Sequence, residues 1–67
     1  MTAAIIANLK KMLGGPRDGA LLRYSFGSEL LKSGDASGAA QRFREAVERD
    51  ANYSAAWKML GKALAER

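Results

Sequence analysis

The 67-residue chain contains neither cysteine nor histidine. The lack of cysteine excludes disulfides and thiolate metal ligands, and the lack of histidine removes the commonest metal ligand and general base. Several serines are present, but none has a histidine to act as its base. We therefore expect no metal or other cofactor, and we expect that the protein is not an enzyme.

Long apolar runs are also missing. No stretch approaches the roughly 20 apolar residues that cross a bilayer, and the largely apolar first nine residues are followed by Lys10 and Lys11. A secretory signal places its positive charges first. The sequence therefore predicts a cytoplasmic protein with no membrane partner. Attachment of residues 2–13 to a membrane surface is a weaker alternative, since packing as a capping helix explains the same apolar residues.

Proline occurs once, at Pro16, and most glycines lie between stretches with helical periodicity of apolar residues. This pattern predicts an all-α fold with four helices at about residues 2–13, 19–33, 37–50 and 53–65. Asp18 and Asn52 are the expected N-caps of the second and fourth helices. On the third helix, Glu45 and Glu48 are typical of a solvated charged face, and Glu45 is spaced to pair with Arg49 one turn later.

A repeat relates the second and fourth helices. Gly27 and Gly61 are 34 residues apart, and at the same spacing Phe26 corresponds to Leu60 and Leu30 to Leu64. A period of 34 residues across a helix–turn–helix unit is the length of a tetratricopeptide repeat.

Further residues resemble that family. Trp57-x-x-Leu60-Gly61-x-x-Leu64 is similar to its W-x-x-L-G-x-x-Y pattern, with leucine replacing tyrosine, and Ala39-x-x-x-Phe43 with Ala46 is similar to its A-x-x-x-F-x-x-A pattern. Gly34-Asp35 stands where many members have the same pair, and Asp50-Ala51-Asn52 stands at the inter-repeat D-P-x. Arg23 departs from the family, which prefers tryptophan at that position. The resemblance covers about three quarters of the chain.

The resemblance implies a capping helix at residues 2–13, a complete repeat at 20–53 and the first helix of a second repeat at 54–67. Because the family's repeats are helix pairs, the fourth helix would leave an apolar stripe of Trp57, Leu60 and Leu64 uncovered. Three interpretations follow: a fragment of a longer repeat protein, two copies that pair symmetrically, or a fourth helix that folds back differently. We favour the first two.

Members of this family bind other proteins or peptides along a concave groove lined by the first helix of each repeat. Carried over by position, the expected groove residues are Tyr24, Ser28, Leu31, Lys32, Lys58 and Lys62, with Leu21, Ala55 and Glu66 beside them. Lys58 and Lys62 are one turn apart. Basic residues at such positions hold a peptide's C-terminal carboxylate in some members, which suggests a partner with an acidic C-terminus. Tyr24 and Ser28 depart from that clamp.

Simpler interpretations exist for the same residues. Surface lysines are usually solubilising, and a tyrosine at position 24 more often packs against the neighbouring helix. By family position Trp57 is a core residue. Self-association through Trp57, Leu60 and Leu64 is the alternative function. Nucleic-acid binding is a weaker alternative, because the net charge of +4 comes from basic residues that are scattered over the chain.

Overall fold

The computed structural model describes residues 2–15 and 18–67. They form four helices, α1 (Thr2–Met12), α2 (Ala20–Lys32), α3 (Ala36–Arg49) and α4 (Ser54–Glu66). The predicted all-α class is confirmed, and each helix end lies within one residue of its predicted position. Pro16 and Arg17, which belong to the predicted break after the first helix, lie outside the described residues.

The helices pack in chain order. Short connectors make successive helices antiparallel neighbours, so that α1 packs on α2, α2 on α3 and α3 on α4, with only a slight contact between α2 and α4. The result is a flat layer with extents of 27 × 25 × 13 Å. Since α2 has neighbours on both sides, its apolar residues are spread around the helix instead of forming one stripe. Within the described ranges, no helix has the length and hydropathy needed to cross a membrane.

The core lies between α2, α3 and α4. Phe26 and Phe43 are its largest fully buried side chains, with exposed fractions of 1% and 0%. The remaining buried apolar residues are mostly small, and they are Leu22, Ala39, Ala40, Ala46, Val47, Ala56, Leu60 and Ala63. Small side chains let the helix backbones approach each other closely, and the two phenyl rings fill the space between them.

The closest approach occurs between Gly27 on α2 and Phe43 on α3. A Cβ atom placed on Gly27 would lie 2.8 Å from Phe43 Cε1, which is closer than ordinary van der Waals contact. The hydrogen of glycine therefore sets the distance between the two helices. Gly61, which occupies the same repeat position on α4, has no atom within 4 Å of its hypothetical Cβ.

The turn between α2 and α3 explains the Gly34-Asp35 pair. Gly34 has a φ of +92°, which only glycine adopts readily. This conformation lets the Gly34 N–H bond Leu31 O at 3.1 Å and the Asp35 N–H bond Leu30 O at 2.9 Å, as in a Schellman motif. The Asp35 side chain then caps α3 by accepting from the Gly38 N–H at 2.9 Å. The two residues thus end one helix and begin the next.

The two N-caps predicted from the sequence are wrong. The N-cap positions belong to Gly19 for α2 and Tyr53 for α4, and neither helix has a side-chain cap. Asn52 donates its backbone N–H to Asp50 Oδ1 at 3.1 Å and stabilises the preceding turn. Asp18 is unavailable as a cap because its carboxylate is bound by an arginine, as described below.

Gly27→Ala and Gly61→Ala form a matched test of the helix spacing. Alanine at position 27 would push against the buried Phe43 ring, so this variant should lose about 1–3 kcal/mol in the free energy of unfolding. Alanine at position 61 meets open space and removes the entropy cost of a helical glycine, so it should gain up to about 1 kcal/mol. Urea unfolding followed by circular dichroism measures both. Equal effects of the two substitutions would contradict this account of the α2–α3 contact.

Candidate functional site

A groove of about 400 Å³ lies between α2 and α4. The residues that line it come equally from the two helices, and they are Ser28, Leu31, Lys32, Met59, Lys62 and Glu66. The groove exists because α2 and α4 are both neighbours of α3 but touch each other only slightly. Four of the six groove residues expected from the sequence, Ser28, Leu31, Lys32 and Lys62, therefore meet at one place.

The groove has an apolar floor and a charged rim. Leu31 and Met59 are half-buried and pack against the core cluster. Lys32, Lys62 and Glu66 are exposed at the edges, and Lys32 Nζ lies 3.4 Å from Glu29 Oε1 in a surface ion pair that holds it only weakly. Such a surface suits an extended polypeptide segment, which offers apolar side chains and polar backbone or carboxylate groups to the same groove.

Tyr24 is not among the residues that line the groove. Its ring stacks on Tyr53 with centroids 5.0 Å apart and makes a tilted contact with Phe43 at 5.7 Å. The simpler interpretation of a tyrosine that packs on neighbouring helices describes these contacts. The pKa of Tyr53 is raised by burial and by the neighbouring Tyr24 and Asp50.

Lys58 also lies away from the groove, although it is exposed and one turn from Lys62. The pairing of the two lysines at a single binding site is therefore not seen. Sequence reasoning missed Met59, which takes part in the groove from the position three residues before Lys62. The only available signal was that helical spacing, because methionine on an amphipathic helix is usually read as a core residue.

The predicted apolar stripe on α4 is not continuous. Leu60 is only 8% exposed and belongs to the core, and Leu64 is half-buried against it. Leu60 is therefore unavailable to a partner, because α3 and α4 already cover it. Trp57 is 51% exposed, and its Nε1–H donates to Ala51 O at 2.8 Å. The stripe thus reduces to one exposed indole with a half-buried leucine beyond it.

An ionic cluster occupies the other end of α2. Arg23 Nε and Nη2 bind the two carboxylate oxygens of Asp18 at 2.9 and 2.7 Å, and Arg23 Nη1 donates to Glu45 Oε1. Arg42 Nη1 reaches the same Glu45 oxygen at 2.7 Å. Asp18 Oδ2 also accepts from the Gly14 N–H at 2.7 Å. The cluster therefore joins the α1–α2 connector, α2 and α3.

The cluster corrects two predictions for the third helix. Glu45 is half-buried, so that it is not part of a solvated face, and its carboxylate pairs with Arg23 and Arg42. Arg49 contacts only the backbone oxygen of Glu45, at 3.5 Å. The family departure at Arg23 was visible in the sequence, but its partners were not, because Glu45 is 22 residues away.

These contacts change the acidity of both carboxyl groups. The hydrogen bonds from Arg23 and then from the Gly14 N–H lower the pKa of Asp18 to about 2. Burial raises the pKa of Glu45, but hydrogen bonds from Arg23 and Arg42 outweigh it and bring the pKa below its ordinary value. Both groups are therefore carboxylates at neutral pH, as bidentate arginine pairing requires.

The antiparallel hairpins, the 34-residue register of Gly27 and Gly61 and the groove between α2 and α4 define a helical-repeat protein of the α-solenoid class. Over 59 residues, or 88% of its length, the chain is 49% identical to "TPR repeat-containing protein PA0015" of Pseudomonas aeruginosa. The fold and this similarity show that the chain belongs to the tetratricopeptide-repeat-like family.

The match covers 56% of the Pseudomonas protein, so the chain spans about half the length of this relative. No protein-family model matches the chain, and no solved structure matches it. The assignment to the family therefore depends on the relative, on the repeat register and on the four-helix fold.

Acid titration should reveal the contribution of Asp18. Its pKa is about 2 in the folded chain and about 4 in an unfolded one, so the ionised carboxylate stabilises the fold above pH 4 or so, and this contribution is lost as the pH falls toward about 2. The stability difference between the wild type and Asp18→Asn should stay constant above about pH 5 and shrink between about pH 4 and pH 2. Urea midpoints at each pH measure it.

The Arg23→Met background provides the control. Without the guanidinium, adding Asp18→Asn to that background should change the stability by an amount that is nearly independent of pH, since residues 18 and 23 act as one unit. A pH-dependent difference of the same size in both backgrounds would mean that Arg23 does not hold the Asp18 carboxylate.

Proposed function

We propose that the chain is a protein-interaction module that holds an extended segment of another protein in the α2–α4 groove and carries out no chemistry of its own. The observation that supports this best is the convergence of Ser28, Leu31 and Lys32 with Met59 and Lys62 around one groove of about 400 Å³. These residues come from the first helices of successive repeats, and the family has protein partners as its general function.

The charge of the rim favours an acidic segment, and in particular a free C-terminal carboxylate. Lys32 and Lys62 stand on opposite sides of the groove, one on each helix, and both are exposed. An anionic group between them gains from both cations. Glu66 adds one negative charge at the far end of α4, so it sets the end of the groove at which a carboxylate is disfavoured.

The repeat organisation gives this groove its two walls. We infer that residues 20–53 act as one repeat, that α1 covers the outer side of α2, and that α4 acts as the first helix of the next repeat. The packing supports this, since among the described elements α1 contacts α2 alone, while α4 contacts mainly α3. The groove would then continue along any further repeat that followed in the same register.

A second candidate function is self-association through α4. Trp57 favours it, because a half-exposed tryptophan on a helix of a small domain is typical of an interface anchor. This function uses a different surface from the groove, since Trp57 is not among the groove residues. The two functions are therefore compatible in one molecule.

Lys62 and Lys58 provide a matched pair for testing the groove. Both are exposed lysines on α4 one turn apart, but only Lys62 lines the groove. Fluorescently labelled six-residue peptides with acidic C-termini serve as probes, each with a free carboxylate and as a C-terminal amide. We expect Lys62→Glu to weaken binding of the free-acid peptides about 10-fold or more, and we expect Lys58→Glu to change it much less. Fluorescence anisotropy at fixed ionic strength measures both.

Equal losses for the two lysine variants would indicate attraction by net charge and would contradict the groove. Equal binding of the free-acid and amide peptides would show that the carboxylate is not recognised. The first result bears on the location of the site and the second on the chemistry of the partner, so the two parts of the proposal fail separately.

A further inference from the structure

Two apolar surfaces remain outside the groove. The large apolar side chains that are exposed in the described part of the chain are Ile5 and Met12 on α1, Leu21 on α2 and Trp57 on α4, with exposed fractions of 44%, 39%, 68% and 51%. Three of the four therefore lie on the α1–α2 side of the layer, and the fourth lies on the α4 side. Neither surface contributes to the proposed peptide groove.

The surface on the first side is concave. A cleft of about 280 Å³ lies between α1 and α2, and it is lined by Leu9, Met12, Leu21, Leu22 and Ser25. Four of these five residues are apolar. Small-molecule sites usually have volumes of about 300 Å³ or more, so this cleft has the size and chemistry to take one large apolar side chain. We call it the α1–α2 cleft.

The surface on the second side protrudes as a single ring. The hydrogen bond from Trp57 Nε1 to Ala51 O satisfies the polar group of the indole and fixes the orientation of its ring. Leu60, one turn along α4, is buried in the core and gives the ring no apolar surroundings at the surface. Trp57 is therefore an ordered apolar projection that loses little conformational entropy when it is bound.

The topology places the projection and the cleft at the same end of the layer, on opposite sides. In an antiparallel array, the end of α1, the start of α2, the end of α3 and the start of α4 lie together. Met12 and Leu21 are in the first two of these segments, and Trp57 is in the last. Because α1 and α4 are the outer helices of the layer, a second copy shifted along the layer brings its α1–α2 cleft to the level of Trp57.

The charges beside the two surfaces are complementary. Residues 2–15 contain Lys10 and Lys11 and no acidic residue, and both lysines are exposed. The segment that leads into Trp57 exposes Glu48 and Asp50. Arg49, between them, reaches back toward the Glu45 backbone oxygen. Opposite charges at the rim favour encounter and fix the orientation of the two surfaces.

We propose that the chain associates head to tail with a second copy of itself, with Trp57 of one copy seated in the α1–α2 cleft of the next. This deepens the second candidate function by naming the surface that receives Trp57. The two surfaces differ, so the contact is heterologous: each copy keeps one free Trp57 and one free cleft, and further copies add in the same way. Its area is that of a weak interface, so we expect affinity in the micromolar to millimolar range, from about 1 μM to about 1 mM.

Two end-blocked variants test the head-to-tail contact. Trp57→Ala removes the projection and keeps the cleft, whereas Leu21→Glu keeps the projection and places a charge in the cleft. Position 21 is 68% exposed, so its substitution leaves the core intact and carries the test even if Trp57→Ala loses helicity by circular dichroism. Each variant alone should associate at least about 30-fold more weakly than the wild type.

An equimolar mixture of the two variants provides the decisive observation. One Trp57 and one intact cleft remain in the mixture, so it should form a 1:1 dimer and nothing larger, while the wild type grows beyond a dimer as its concentration rises from about 1 μM to about 1 mM. Analytical ultracentrifugation separates these species from the 7.2 kDa monomer. The chain has one tryptophan, so the emission of Leu21→Glu should shift to the blue when Trp57→Ala is added, because the indole enters the cleft of the other copy.

Three outcomes would overturn the proposal. The first is a wild type that stays at 7.2 kDa throughout this range. The second is a mixture that neither dimerises nor changes its emission. The third is a Leu21→Glu variant that dimerises fully by itself, which would indicate a symmetric contact around Trp57. Lys62→Glu should associate like the wild type and Trp57→Ala should bind the groove peptides normally, so failure of this proposal is distinguishable from failure of the groove.

Discussion

The phenyl ring of Phe43 lies directly on the backbone of α2 at Gly27, and the positions of all other elements depend on this contact. It sets the separation of α2 and α3 at a distance that even one methyl group would increase. Ala39 and Ala46, both fully buried one turn to either side of Phe43, keep α3 close to its neighbours. With α3 held there, α4 packs on its other side, and the α2–α4 groove takes its width from the thickness of one helix.

The two repeat positions occupied by Arg23 and Trp57 show how one task is met by different chemistry. Both residues lie in the first turns of their helices, 34 residues apart, and each hydrogen-bonds the connector that precedes its helix. Arg23 uses charge and needs Asp18 and Glu45 as partners, so it is largely covered. Trp57 needs only one carbonyl oxygen, so most of its ring is left for other contacts. This difference leaves the α2 position structural and makes the α4 position available to a partner.

The sequence predicted the fold better than the candidate site. The register of Gly27 with Gly61 and the alternation of apolar stretches with breakers were sufficient for four helices and their order. Ser28, Leu31, Lys32 and Lys62 do meet at one groove, because they share helix faces with known spacing. Tyr24 and Lys58 lie elsewhere and Met59 was missed, since a rotation of a helix by a fraction of a turn moves a side chain in or out of a groove. The Arg23 cluster could not be found, because its members come from three segments that only packing brings together.

Local patterns in the sequence were enough for the class of the protein, for the number and bounds of its helices and for the pair Gly34-Asp35 that joins two of them. Periodicity, capping and backbone conformation are properties of neighbouring residues, so they can be read along the chain. Which side of each helix remains free was settled by packing alone. Packing buried Leu60 and exposed Trp57, although both lie on the same helix and both are large and apolar. Burial depends on the neighbour that a side chain meets, and the distance to that neighbour is set elsewhere, at the glycine where α2 and α3 touch.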